Sequence, residues 1–105
     1  MTGTRARLDH IGIAVRSLAE GADVWQRLGF VAGEVEEVAE LGVRVQKFDC
    51  GGSVVELLED ATGGEGVIGR FVAKQGPGVH HLSFLVEDLA AATQEYAAAG
   101  YRIVY

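Results

Sequence analysis

The feature that most constrains this chain is a repeat of itself. Shifted by 71 positions, Leu8–Phe30 falls on Val79–Tyr101 without a gap, and five of the 23 aligned positions are identical. His10 meets His81, Val15 meets Val86, Leu18 meets Leu89, Ala19 meets Ala90 and Gly29 meets Gly100. Trp25 falls on Tyr96, and Phe30 on Tyr101. Each copy reads as strand, helix cap, helix, stopping glycine and aromatic strand. The expectation is a fold of two related units in which equivalent positions do equivalent work. At 105 residues the chain has room for one domain and no second beside it.

The elements follow from local pattern. Arg7–Val15 alternates as a strand, with Leu8, His10, Gly12 and Ala14 on one face and Ile11, Ile13 and Val15 on the other. Ser17 is placed to cap a helix from Leu18 that Gly29 stops. Phe30–Val38, Val43–Phe48 and Val54–Glu59 read as strands, the last two joined through Gly51-Gly52. Ala61–Gly66 is a loop, Val67–Gln75 a short helix, and Gly76-Pro77-Gly78 its end. His80–Val86 reads as a fifth strand, Asp88 as the cap of an alanine-rich helix to Ala99, and Tyr101–Tyr105 as the start of a sixth strand. Helical spacing places Trp25 and Tyr96 in the core, while Glu34, Glu36, Glu37 and Glu40 read as a solvated edge.

Composition narrows the function. Hydrophobic residues are 49 % and charged residues 23 %, ordinary globular usage. Nine Lys and Arg against 15 Asp and Glu leave a net charge of −6. No basic patch suits nucleic acid or an anionic membrane surface, and no apolar run reaches the roughly 20 residues of a spanning helix. A soluble, cytoplasmic protein is expected. The single Cys50 has no internal disulfide partner and reads as an unreactive thiol.

The repeat also selects the chemistry. His10 and His81 occupy equivalent strand positions, on the face away from the apolar side that packs under the helices. Alternation sends the adjacent His80 to the opposite face. Glu56 lies between Val55 and Leu57, and a carboxylate in so apolar a strand calls for a cation. Two imidazoles and a carboxylate are a donor set for a divalent metal with positions left for substrate.

These segments resemble a known superfamily. Leu8-Asp9-His10-Ile11-Gly12-Ile13-Ala14-Val15, Val54-Val55-Glu56-Leu57-Leu58-Glu59 and Gly76-Pro77-Gly78-Val79-His80-His81-Leu82-Ser83-Phe84 resemble the vicinal oxygen chelate proteins (glyoxalase, bleomycin resistance protein, dioxygenase), and among them the methylmalonyl-CoA epimerases. The resemblance runs from about Leu8 to Tyr105. It implies an α+β fold of paired βαβββ modules in one domain: module one over 7–60, a linker helix over 66–76 and a partial module two over 78–105, truncated after its β-α-β. It implies metal ligands His10, Glu56 and His81 around a divalent ion (Co, Ni, Zn, Mn or Fe). The family's fourth ligand, a glutamate, belongs to a last strand beyond Tyr105, so the expectation is that it is absent here and that turnover is weak. Some epimerases carry a third-strand carboxylate as a base; Val45 stands near that place.

The activity so implied is an epimerase or isomerase removing a proton α to a thioester or carboxylate. A metal-bound carbonyl stabilises the enolate, and Glu56 is the candidate catalytic base as well as ligand. The substrate would be a small molecule of the acyl-CoA kind, with Arg44, Lys47, Arg70 and Lys74 the cations near the cleft. A glyoxalase-like lyase, a dioxygenase and a non-catalytic small-molecule binder are the alternatives. The open apolar sixth strand and the small core point to a homodimer, joined through Arg7–Val15 or the second-module strands.

Overall fold

The computed structural model describes residues 6–104. Five strands and three helices follow in the order β1 (Ala6–Val15), α1 (Leu18–Arg27), β2 (Ala32–Val38), β3 (Val43–Asp49), β4 (Val54–Asp60), α2 (Val67–Gln75), β5 (Gly78–Val86) and α3 (Leu89–Ala98), with one 3-10 turn over Ala39–Leu41. The strands form one mixed sheet in the order β2-β3-β4-β1-β5. β1 runs parallel to β4 and antiparallel to β5, so the two repeat strands lie side by side.

The repeat is visible in the caps. Ser17 Oγ accepts a hydrogen bond from the Glu20 N–H at 3.1 Å, and Asp88 Oδ1 accepts one from the Ala91 N–H at 3.0 Å. Both helices then stop at a glycine with positive φ, 97° at Gly29 and 96° at Gly100, a conformation that costs a side chain energy.

Each sheet face carries its own cluster. On one, Val15 of β1, Phe48 of β3 and Val55 and Leu57 of β4 pack against Leu18 and Ala22 of α1. Phe48 and Leu57 are fully buried, each burial contributing about 1.5–3 kcal/mol. On the other, Ala14, Val43, Val45 and Leu58 lie beneath Ile68 of α2, with Phe71 and Val72 beside them.

Several expectations are corrected. Tyr101–Val104 takes up no strand, and Tyr105 lies outside the described residues. Tyr96 is more than half exposed and meets Tyr101 edge-to-face instead of filling a core. β1 sits between β4 and β5, and its segment His10–Ala14 is flanked by partner strands on both sides. Strict alternation also fails twice along β1 and β5. Pairing passes from Leu8–Phe84 to His10–Ser83, skipping Asp9, and from Gly12–His81 to Ile13–Val79, skipping His80. Each skipped residue is a β-bulge. Leu8 therefore lies opposite Phe84 on the other face from His10, and Val79 leaves the face of His81.

Candidate active site

Cross-strand register assembles the site in two rows. His81, Gly12, Glu56 and Lys47 align across β5, β1, β4 and β3. Gly78, Ala14, Leu58, Val45 and Glu36 align across all five strands. From these rows His81, Glu56, Lys47, Leu58, Val45 and Glu36, with His10 and the turn after β2, line a cavity of about 470 Å³ on the face that α2 covers. Val38, Leu41, Val43, Val67 and Ile68 make its walls apolar, the three histidines lie at the β1–β5 end with Glu56 next to them, and Lys47 and Glu36 follow on β3 and β2.

There the sequence-selected residues come together. His10 Nε2 and His81 Nε2 stand 3.2 Å apart, their rings edge-to-face. Two ligands bound at about 2.0–2.1 Å to one ion have roughly this separation. Glu56 Oε2 lies 3.4 Å from the other ring nitrogen of His10, and both side chains are largely buried, at 16 % and 17 % exposure. The donor chemistry fits a divalent transition metal, and the two facing nitrogens fit its size. The carboxylate lies beside the pair. Among the described residues no group of three or more His, Cys, Asp or Glu side chains is arranged as a metal shell.

Gly12 makes room for this arrangement. The His81 imidazole lies over it, and a Cβ there would strike the ring. Burial, followed by the His10 and His80 rings, holds the His81 imidazole below its usual range, against the pull of Glu56. His80 is the clearest departure from expectation. The bulge at this position turns its ring into the cavity beside His81, with the two Nδ1 atoms 3.0 Å apart, and Phe71 of α2 meets it edge-to-face. Alternation could not show this, because the extra residue resets the face.

Glu36 has a place that sequence reasoning leaves out. It is exposed on the edge strand β2, as the solvated-edge reading expects, and pairing with Val45 also sets it on the rim of the cavity. The available signal was its alternation with Glu34 and Val38 on one strand, which divides the acidic cluster between two faces. Glu37 goes to the other side and pairs with Arg44 at 3.4 Å; Arg44 also reaches Glu59 at 3.2 Å and is turned from the cavity. Lys47 is the one Lys or Arg among the described residues that lines it.

A family model of the Glyoxalase/Bleomycin resistance protein/Dioxygenase superfamily matches residues 9–105. The chain belongs to this superfamily. The uncharacterized protein YqjC of Bacillus subtilis is 37 % identical over 89 residues, which are 84 % of this chain and 63 % of YqjC; the chain thus spans less than two thirds of that relative. An ethylmalonyl-CoA/methylmalonyl-CoA epimerase of Cereibacter sphaeroides is 31 % identical over 99 residues, 93 % of this chain and 74 % of that protein. Among solved structures, a Streptomyces coelicolor methylmalonyl-CoA epimerase in complex with 2-nitronate-propionyl-CoA superposes with a TM-score of 0.81 at 32 % identity, covering 94 % of this chain and 73 % of the other. The glyoxalase-like α+β fold expected from the superfamily motifs is the fold observed. No helix among the described residues is long and apolar enough to cross a membrane.

Proposed function

We propose that this chain is a divalent-metal-dependent epimerase or isomerase that removes a proton α to a thioester or carboxylate, as methylmalonyl-CoA epimerases do. The observation that carries this reading is the facing Nε2 pair of His10 and His81, with Glu56 beside it, at one end of a cavity with largely apolar walls. Similarity to epimerases, one of them solved with a CoA compound bound, supports it.

His10, His81 and Glu56 would hold the ion. When bound, it supplies positive charge to the oxygen on which the enolate develops. The residues do the rest. Epimerisation needs a base on one side of the α-carbon and an acid on the other. Two carboxylates line the cavity: Glu56 at the histidine end and Glu36 on the β2 side. Glu36 takes the α-proton, or returns it, from the side opposite Glu56. Lys47, paired with Glu56 across β3 and β4, offers an ammonium to the anionic carboxylate of a substrate. The apolar walls exclude water from the carbanion.

The test joins metal and chemistry. Elemental analysis of the purified chain is expected to show a divalent transition metal, and in D2O the chain exchanges the α-proton of methylmalonyl-CoA faster than buffer does. Chelation removes that exchange, and Glu36→Gln slows it by about 10²–10⁴-fold with metal retained. A metal-free chain that takes up no added metal and catalyses no exchange overturns the proposal.

A further inference from the structure

Asp9 and His80 are equivalent positions in the internal repeat, and each immediately precedes a site histidine. Each is also the extra residue at one of the two bulges between β1 and β5. In a regular strand the residue before a site histidine projects to the far face and is lost to it. The bulges cancel that alternation. Asp9 Oδ2 lies 2.9 Å from His10 Nδ1, and His80 Nδ1 lies 3.0 Å from His81 Nδ1. Both contacts fall on Nδ1, and both leave Nε2 facing the partner ring.

We propose that Asp9 and His80 are a matched pair of positioning residues, with Asp9 fixing the His10 tautomer permanently and His80 allowing the His81 tautomer to reverse when a divalent cation is taken between the two Nε2 atoms. This rests on the metal reading above.

The argument is a proton count. A neutral imidazole has one N–H and one lone pair, and a carboxylate can only accept. Asp9 at 2.9 Å, with the Glu56 carboxylate farther off at 3.4 Å from the same nitrogen, therefore holds the hydrogen of His10 on Nδ1 and leaves the His10 Nε2 lone pair in the site. Without a cation, the 3.2 Å contact between the Nε2 atoms is a hydrogen bond only if His81 donates from Nε2. His81 Nδ1 then accepts, and His80 donates from its Nδ1. With a cation, His81 must present the Nε2 lone pair. Its Nε2 proton leaves to water, its Nδ1 takes the proton of His80 Nδ1 across the 3.0 Å hydrogen bond, and His80 gains a proton from water on Nε2. The net change in bound protons is zero. A carboxylate at position 80 would forbid the first state and set two lone pairs against each other. An imidazole permits both, which accounts for the difference between the two matched positions. Phe71 holds the His80 ring edge-on at 5.0 Å, and Gly12 leaves room for His81 to keep its place.

Zinc affinity and imidazole tautomers test this on the whole chain. Long-range proton–nitrogen spectra are expected to show His10 as Nδ1–H throughout. His81 changes from Nε2–H to Nδ1–H on adding Zn²⁺, and His80 changes the opposite way. Asp9→Ala and His80→Ala each weaken Zn²⁺ binding by about 10–100-fold. His80→Asn, whose amide can donate or accept, recovers most of the affinity. Unchanged affinity in both alanine variants, with native circular dichroism, overturns the proposal, as does a His81 tautomer that is the same with and without zinc. If the chain takes up no Zn²⁺ at millimolar concentration, the metal reading fails by itself. The zinc-free spectra then decide the positioning role: His81 as Nε2–H with His80 as Nδ1–H upholds it, and any other arrangement overturns it.

Discussion

The two copies of the repeat share a sequence pattern but not a degree of burial. Leu18 is 7 % exposed, and its counterpart Leu89 is 74 % exposed. Trp25 packs on Phe48 at 6.5 Å, whereas Tyr96 meets, among the aromatic rings of the described residues, the neighbouring Tyr101. Ile13 packs against the buried cluster under α1, while Phe84 is 57 % exposed. The caps and glycine stops are alike in both, but α3 is alanine-rich and has a much weaker apolar stripe than α1. The rest of the difference lies in what stands beside each strand. β1 lies next to β4, and beyond it β3, so α1 sits over Val55, Leu57 and Phe48. β5 is the outermost strand of the sheet, and α3 packs mainly through the one buried residue Ala92. Amphipathic pattern makes a helix; neighbours decide how much stability its apolar face contributes.

Matched substitutions in the two copies would sharpen or break this contrast. The largest effect is expected in the core pair. Leu18→Ala should cost about 2–5 kcal/mol in urea unfolding, and Leu89→Ala less than about 0.5 kcal/mol. Equal costs would show that the second copy is as well packed as the first. Next comes the pair under the site. Gly12→Ala drives a Cβ into the His81 ring and is expected to weaken Zn²⁺ binding at least about tenfold, with stability reduced too. Ser83→Ala, its repeat equivalent, should leave binding within about twofold.

The caps should differ by where the loss appears. Ser17→Ala is expected to lower global stability by about 1 kcal/mol. Asp88→Ala should speed amide exchange in α3 while the rest of the chain keeps its protection, because a loosely docked helix opens on its own. Whole-chain destabilisation by the second variant would refute the contrast. The smallest effect is on acid stability. Partial burial pushes the Asp60 carboxyl up, but hydrogen bonds from the Gly64 N–H and from the N–H and hydroxyl of Thr62 outweigh it and hold the group below the usual carboxylate range. A depressed folded value means the contribution is complete above the unfolded value of about 3.9 and is lost as pH falls through the folded one. Asp60→Asn should therefore flatten a small part of the acid limb of stability, and an identical acid limb would count against that.

Sequence alone determined the five strands and three helices and their division into two copies, though not the absence of a strand over Tyr101–Val104, because caps, glycine stops and hydrophobic period act over a few residues and are written locally. It also singled out His10, His81 and Glu56, since equivalent histidines and a carboxylate in an apolar strand are visible without coordinates. Tertiary structure decided the rest. The strand order set which copy is buried. Pairing with Val45 set Glu36 on the rim of the cavity, and pairing with Glu37 and Glu59 turned Arg44 away from it. Above all, the two bulges placed Asp9 and His80 beside their histidines. A bulge is one extra residue in a register between two strands far apart in sequence. Neither strand carries that register by itself, so the face on which His80 stands exists only once β1 and β5 have paired.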